Sequence, residues 1–315
     1  MLFLLPASAA GAAGLPPGIQ GGAGVLSPSG DARFVALSGA SRESTMVARV
    51  AVGSSLVERS RSIAGKWAVP QIALDGTGGG ISGDSRTLVL VRPRNRFPMR
   101  ETRFIVLDTA RLGVLKQVTM RGDFGYDALS PDGSAMYLIK YLRAGDPTRY
   151  EVRGYDLTRS RLLSKPIVDP HEEGDDMRGY PLTRVTSAGG RWAYTLYDGN
   201  GTHPFVHALD TVGRTAVCID LDQLADRQEL GSLRLRLSDG ERRLSVMDSA
   251  KPLLVVDTKS FKVSEPRTAA PAAQKTSAAQ GGSDGGGGFP WLVVVLIAAV
   301  ATGVAGVRLA ASART

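Results

Sequence analysis

At 315 residues the chain has room for one large or two ordinary domains, and with 43% hydrophobic and 22% charged residues it is not disordered throughout. One cysteine, Cys218, excludes an intramolecular disulfide, so the fold must stand on its own core. The net charge of +8 is moderate, and fits a solvated basic surface or an anionic partner such as an envelope polymer or lipid headgroup.

Residues 1–14 begin Met-Leu-Phe-Leu-Leu-Pro-Ala-Ser-Ala-Ala, the apolar core of a signal peptide with a small-x-small cleavage site near Ala7 to Ala9. No Lys or Arg precedes the apolar stretch, a departure that leads us to expect a start further upstream.

Residues 23–264 repeat two phrases. The first is a Ser-x-Asp/Gly-Gly turn followed by an alternating apolar strand. It begins at Ser27, Ser82, Ser130 and Ser187, and more weakly at Ser238. The equivalent turn positions, Gly30, Ser85, Gly133, Gly190 and Gly240, are 55, 48, 57 and 50 residues apart. The second phrase is an apolar strand ending in Asp-Thr or a relative, then a tight turn. Its aspartates are Asp108, Asp156, Asp210 and Asp257, with a degenerate first copy around Val52-Gly53. Two phrases sharing one period predict four short strands per repeat, in the third copy over 125–129, 135–141, 150–156 and 161–168. A lone four-stranded unit cannot bury both faces, so neighbours must stack.

The Ser130-Pro-Asp-Gly133 turn and its four relatives resemble the blades of bacterial extracytoplasmic β-propellers of the TolB-like and WD-repeat-like kind. That resemblance implies an all-β propeller of about five four-stranded blades. No blade ends in Trp-Asp, so the repeat is not the standard WD type. Turn chemistry carries the likeness and implies fold rather than activity.

Blade connectivity puts both families of short turns on one face. The longer, irregular loops lie on the other, where binding residues usually sit. Two of these loops are the expected binding elements. One carries Arg92, Arg94, Arg96, Arg100 and Arg103 with Pro93 and Pro98, an arrangement suited to phosphate or carboxylate. The other carries Asp169, Glu172, Glu173, Asp175 and Asp176, whose oxygens could hold Ca²⁺ or pair with the basic loop. Its spacing lacks the EF-hand pattern, and no metal site or cofactor is expected.

No catalytic set emerges. There is no Gly-x-Ser-x-Gly elbow, phosphate-binding glycine loop or cysteine pair. His203 and His207 lie four apart, on one face if both are in a strand, but no third zinc ligand is near them in sequence. Cys218 lies in an apolar strand-like run and reads as a buried thiol. Asp127, on an innermost strand, is the one candidate for a hydrolase, which needs two carboxylates.

Residues 265–288 form a linker rich in Ala, Gly, Ser and Gln, ending in four glycines, too poor in apolar surface to order itself. Residues 289–308 read as a transmembrane helix built on the apolar run from Trp291 to Val307, about 26 Å long as a helix. Arg308 and Arg314 place the 309–315 tail in the cytoplasm by the positive-inside rule. Ala299 and Gly303 offer a small helix-dimer face. The expected protein is a single-pass membrane protein whose propeller lies outside the cytoplasm and binds an envelope protein or anionic polymer. Nucleic acid is excluded by that location. A propeller hydrolase acting on glycans is the alternative.

Overall fold

The computed structural model describes residues 24–41, 43–172 and 177–266. The expected signal peptide, the transmembrane run, the tail and nearly all of the linker lie outside them, as do Glu173, Asp175 and Asp176. Among the described residues no helix is long and apolar enough to cross a membrane, and the helices are three single 3-10 turns.

Five antiparallel sheets follow one another along the chain. Blade one contains β1 (Val25–Leu26), β2 (Ala32–Ser38), β3 (Ser44–Ala51) and β4 (Val57–Ala64). Blade two contains β5 (Thr87–Val91), β6 (Glu101–Asp108) and β7 (Gly113–Arg121). Blade three is formed by β8 (Phe124–Leu129), β9 (Ala135–Arg143), β10 (Asp146–Asp156) and β11 (Arg161–Ile167), with the short β12 (Met177–Arg178) added on β10. Blade four contains β13 (Pro181–Thr186), β14 (Trp192–Tyr197), β15 (Phe205–Asp210) and β16 (Thr215–Asp220). Blade five contains β17 (Leu233–Ser238), β18 (Arg243–Asp248), β19 (Lys251–Asp257) and β20 (Val263–Ser264). Apart from β12, each strand pairs with its neighbour in sequence, the up-and-down order of a propeller blade.

The repeated phrases have a local cause. In the first four copies the turn serine oxygen accepts the N–H five residues on: Ala32 at 3.1 Å, Thr87 at 3.0 Å, Ala135 and Trp192 at 2.9 Å. The equivalent turn position takes positive φ in all five copies, from 61° at Ser85 to 75° at Gly30 and Gly190, which explains its glycine bias. The aspartate of the second phrase accepts turn N–H groups, those of Arg111 and Arg159 both at 2.7 Å. The threonine after it then ties the two turn families together. Thr109, Thr211 and Thr258 donate their hydroxyls to the carbonyls of Ser85, Gly190 and Glu241. Both families of turns therefore do share one face.

Blade two departs from the repeat. Its first strand is replaced by a segment from about 68 to 82 whose backbone pairs with β5 at the isolated bridges Ala68 to Val91 and Ile81 to Leu88. This segment crosses toward blade four, where Leu74 and Asp75 N–H groups donate to the carbonyls of Pro181 and Leu182. Its Gly76-Thr-Gly-Gly-Gly80 run lacks the side chains that hold a strand against a neighbour.

Stacking produces four apolar layers. Phe34, Val47, Leu88 and Ile105 join blades one and two, and Val89, Phe104, Tyr126 and Leu138 join two and three. Tyr137, Val152, Leu209 and Ala216 join three and four, and Leu196, Val206, Leu235 and Val246 join four and five. Among the described residues no such cluster joins blade five to blade one. On the first blade Leu26, Leu37 and Met46 remain exposed.

Candidate functional site

The basic loop spans β5 to β6 on the irregular face. Its arginines do not act alike. Arg92, Arg96, Arg100 and Arg103 are exposed, whereas the Arg94 side chain is only 2% exposed. Arg94 pairs with Asp123 through contacts of 2.5 and 2.8 Å, and its guanidinium lies 5.4 Å from the Phe97 ring and 5.0 Å from the Tyr141 ring. Asp123 also accepts the Met99 N–H at 2.6 Å. Burial lowers the guanidinium pKa and raises the carboxyl's, the cost of desolvating both partners, and the ion pair opposes each shift. Arg94 is thus the anchor of the loop, not a ligand-gripping group. Arg103 is engaged by Glu101 at 2.5 Å. Arg92, Arg96 and Arg100 have no acidic partner within ion-pair distance among the described residues.

From this anchor an aromatic chain runs across the irregular face. Phe97 meets Tyr141 at 5.5 Å, Tyr141 meets Tyr150 at 6.3 Å, Tyr150 meets Tyr197 at 5.8 Å, and Tyr197 stacks on Phe205 at 5.2 Å. Packed rings with few rotamers carry the position of the blade-two loop through blade three to blade four.

The acidic loop follows β11, between blades three and four. Asp169 is buried and does not pair with the basic loop. Its Oδ1 accepts the His171 N–H and lies 2.9 Å from His171 Nδ1, and its Oδ2 accepts the Cys218 N–H at 2.9 Å. Burial pushes the Asp169 carboxyl up, but the His171 and Cys218 N–H donors outweigh it and the net shift is downward. Asp169, Glu172, His203, His207 and Cys218 line one cavity of about 570 Å³.

The two histidines do not share a strand face. His203 precedes β15, with Nε2 3.0 Å from Asp220, while His207 is within β15 and 1% exposed. Arg184, Thr195, His207 and Cys218 form one register row across all four strands of blade four. Burial lowers the His207 pKa to about 4, so its ring is neutral at pH 7. Neither ring nitrogen has a hydrogen-bond partner among the described residues.

At the centre, a cavity of about 520 Å³ is lined by the glycines of the blade-two segment together with Asp75, Asp127 and Arg184. Asp127 and Arg184 form a buried ion pair, and Arg184 Nε also donates to Thr195 Oγ1 at 2.7 Å. Asp75, a second carboxylate that sequence spacing did not reveal, accepts the Thr77 N–H and hydroxyl and has Arg234 at 3.8 Å.

No family model and no curated protein matches the chain. Solved propellers do. TolB from Acinetobacter baumannii is 13% identical with a TM-score of 0.42, covering 79% of this chain and 53% of TolB, so the chain spans about half of that protein. The Myceliophteria thermophila Cps50 (Swd1) propeller is 14% identical with a TM-score of 0.42, covering 76% of this chain and 67% of its own. The propeller of the Pyrococcus furiosus trilobed protease is 12% identical with a TM-score of 0.43, over 76% and 67%. The likeness is to β-propellers, in keeping with the TolB-like and WD-like blade phrases, and extends to the fold alone.

Proposed function

We propose that this protein is a membrane-tethered binding module whose propeller, displayed outside the cytoplasm, holds an anionic envelope polymer on its irregular face. One observation carries this reading. The Arg94–Asp123 anchor, packed against Phe97 and Tyr141, fixes the blade-two hairpin and leaves Arg92, Arg96 and Arg100 exposed, without acidic partners among the described residues. A loop stiffened in advance loses less entropy on binding, and guanidinium groups match carboxylate and phosphate by paired hydrogen bonds.

The test uses the full chain in neutral detergent, co-sedimented with purified cell wall across a salt series. The triple variant Arg92→Gln, Arg96→Gln, Arg100→Gln should bind more weakly and with a flatter salt dependence, because screening acts over about 8 Å at physiological salt. Equal binding by variant and parent at every salt concentration refutes the role of the loop. The tether is tested separately. Protease added to spheroplasts should cut in residues 265–288 and release the propeller, and protection there with digestion in inside-out vesicles refutes the orientation.

A further inference from the structure

Between blades three and four, away from the basic loop, lies a cluster that anion binding does not use. One ligand atom each from Asp169, Glu172 and Cys218 falls within 4.8 Å of the other two. They come from separate elements: Asp169 and Glu172 from the segment after β11, Cys218 from the outermost strand β16. The Asp169 carboxylate is fixed beside the thiol by the Cys218 N–H. His207 is an independent sign of a missing ligand. It is the direct cross-strand partner of Cys218, is 1% exposed, lines the same cavity and has two ring nitrogens without a hydrogen-bond partner among the described residues. A buried imidazole left wholly unsatisfied is costly, and such groups in native folds usually mark an ion or water.

We propose that Asp169, Glu172 and Cys218 bind a divalent transition metal of the zinc class, with His207 holding the water that completes its coordination. Thiolate selects against calcium and magnesium, which take oxygen ligands. Metal–ligand distances of about 2.0–2.3 Å in a tetrahedron set ligand atoms roughly 3.5 Å apart. The present cluster needs to close by no more than about 1.3 Å, a movement within reach of the Glu172 side chain. Binding breaks the Cys218 S–H bond, forms a sulfur–metal bond and releases one proton to solvent, with no change of oxidation state. Such a site would clamp the segment leaving blade three to the outer strand of blade four.

Cobalt(II) reports on this chemistry because thiolate coordination produces a sulfur-to-metal charge-transfer band. Titrating the full, metal-free chain with Co²⁺ should show one equivalent bound with that band. Cys218→Ser should abolish the band. Asp169→Asn, and separately His207→Ala with the band retained, should each weaken binding by about 10–100-fold. Zn²⁺ should displace Co²⁺, slow alkylation of Cys218 and raise the melting temperature of the native chain but not of Cys218→Ser. The Ser variant is close in size, so its far-UV circular dichroism should match the parent and separate lost ligation from lost folding. Absence of the band from the native chain, or equal Co²⁺ affinity in Cys218→Ser, overturns the proposal.

Discussion

Gly30 and Gly133 occupy the same position of the blade turn and have nearly the same backbone, φ +75° and +69°. Their surroundings differ. A Cβ built on Gly30 meets nothing within 4 Å, whereas one on Gly133 falls 2.5 Å from Thr87 Oγ1 and 2.8 Å from Thr87 Cβ, on the adjoining blade. Alanine at either position bears the left-handed penalty of about 1–2 kcal/mol. At Gly133 the overlap with Thr87 adds the cost of overpacking, about 1–3 kcal/mol. Gly30→Ala should therefore cost about 1–2 kcal/mol and Gly133→Ala about 2–5 kcal/mol. At about 2–4 °C per kcal/mol for a domain of this size, the melting temperatures should fall by roughly 2–8 °C and 4–20 °C. Urea unfolding of the two variants beside the parent measures the difference. Thr87→Ala should recover part of the loss at Gly133 and none at Gly30. Equal losses at the two sites refute the claim that the turn of blade three packs against β5 of blade two.

The loop anchor predicts a strong asymmetry. Asp123→Ala leaves the Arg94 guanidinium buried and unpaired and should cost about 3–5 kcal/mol, whereas the double change Arg94→Met with Asp123→Leu should recover most of it, as read by a double-mutant cycle. The turn carboxylates set the acid limit. The Ser130 hydroxyl, then the Ser134 N–H, hold the Asp132 pKa below its usual value. A depressed carboxyl contributes its full stability above the unfolded pKa of about 3.9 and loses it as pH falls through the lower folded value. Unfolding followed from pH 7 to pH 2 should show stability falling below about pH 4, with a shallower fall in Asp132→Asn.

Much of the fold is legible in the chain because turn chemistry is local. Whether a position adopts positive φ, or a serine hydroxyl reaches an amide five residues on, is settled within a handful of residues. That is why Gly30, Ser85, Gly133, Gly190 and Gly240 revealed the blade period and the shared turn face. The four strands of the third repeat followed from the same spacing. The pattern misled at blade two, where Ser82 keeps the turn but Gly76 to Gly80 remove the strand before it, and at His203, which a four-residue spacing alone could not separate from the strand holding His207. The site lay further out of reach. Arg94 belongs to an arginine-rich loop in sequence, yet it turns inward because Asp123, 29 residues on, and Tyr141 meet it there. Asp127 stood out as a lone carboxylate, but Arg184, 57 residues away, pairs with it, and Asp75 joins it through a segment that crosses the centre. Cys218 read as an inert thiol, since nothing near it in sequence could show Asp169 accepting its amide from 49 residues earlier. Local backbone preference thus determined the repeat and its turns. The fate of each buried charge depended on which blade stacks on which, because desolvation must be offset by partners that only the folded chain brings within reach.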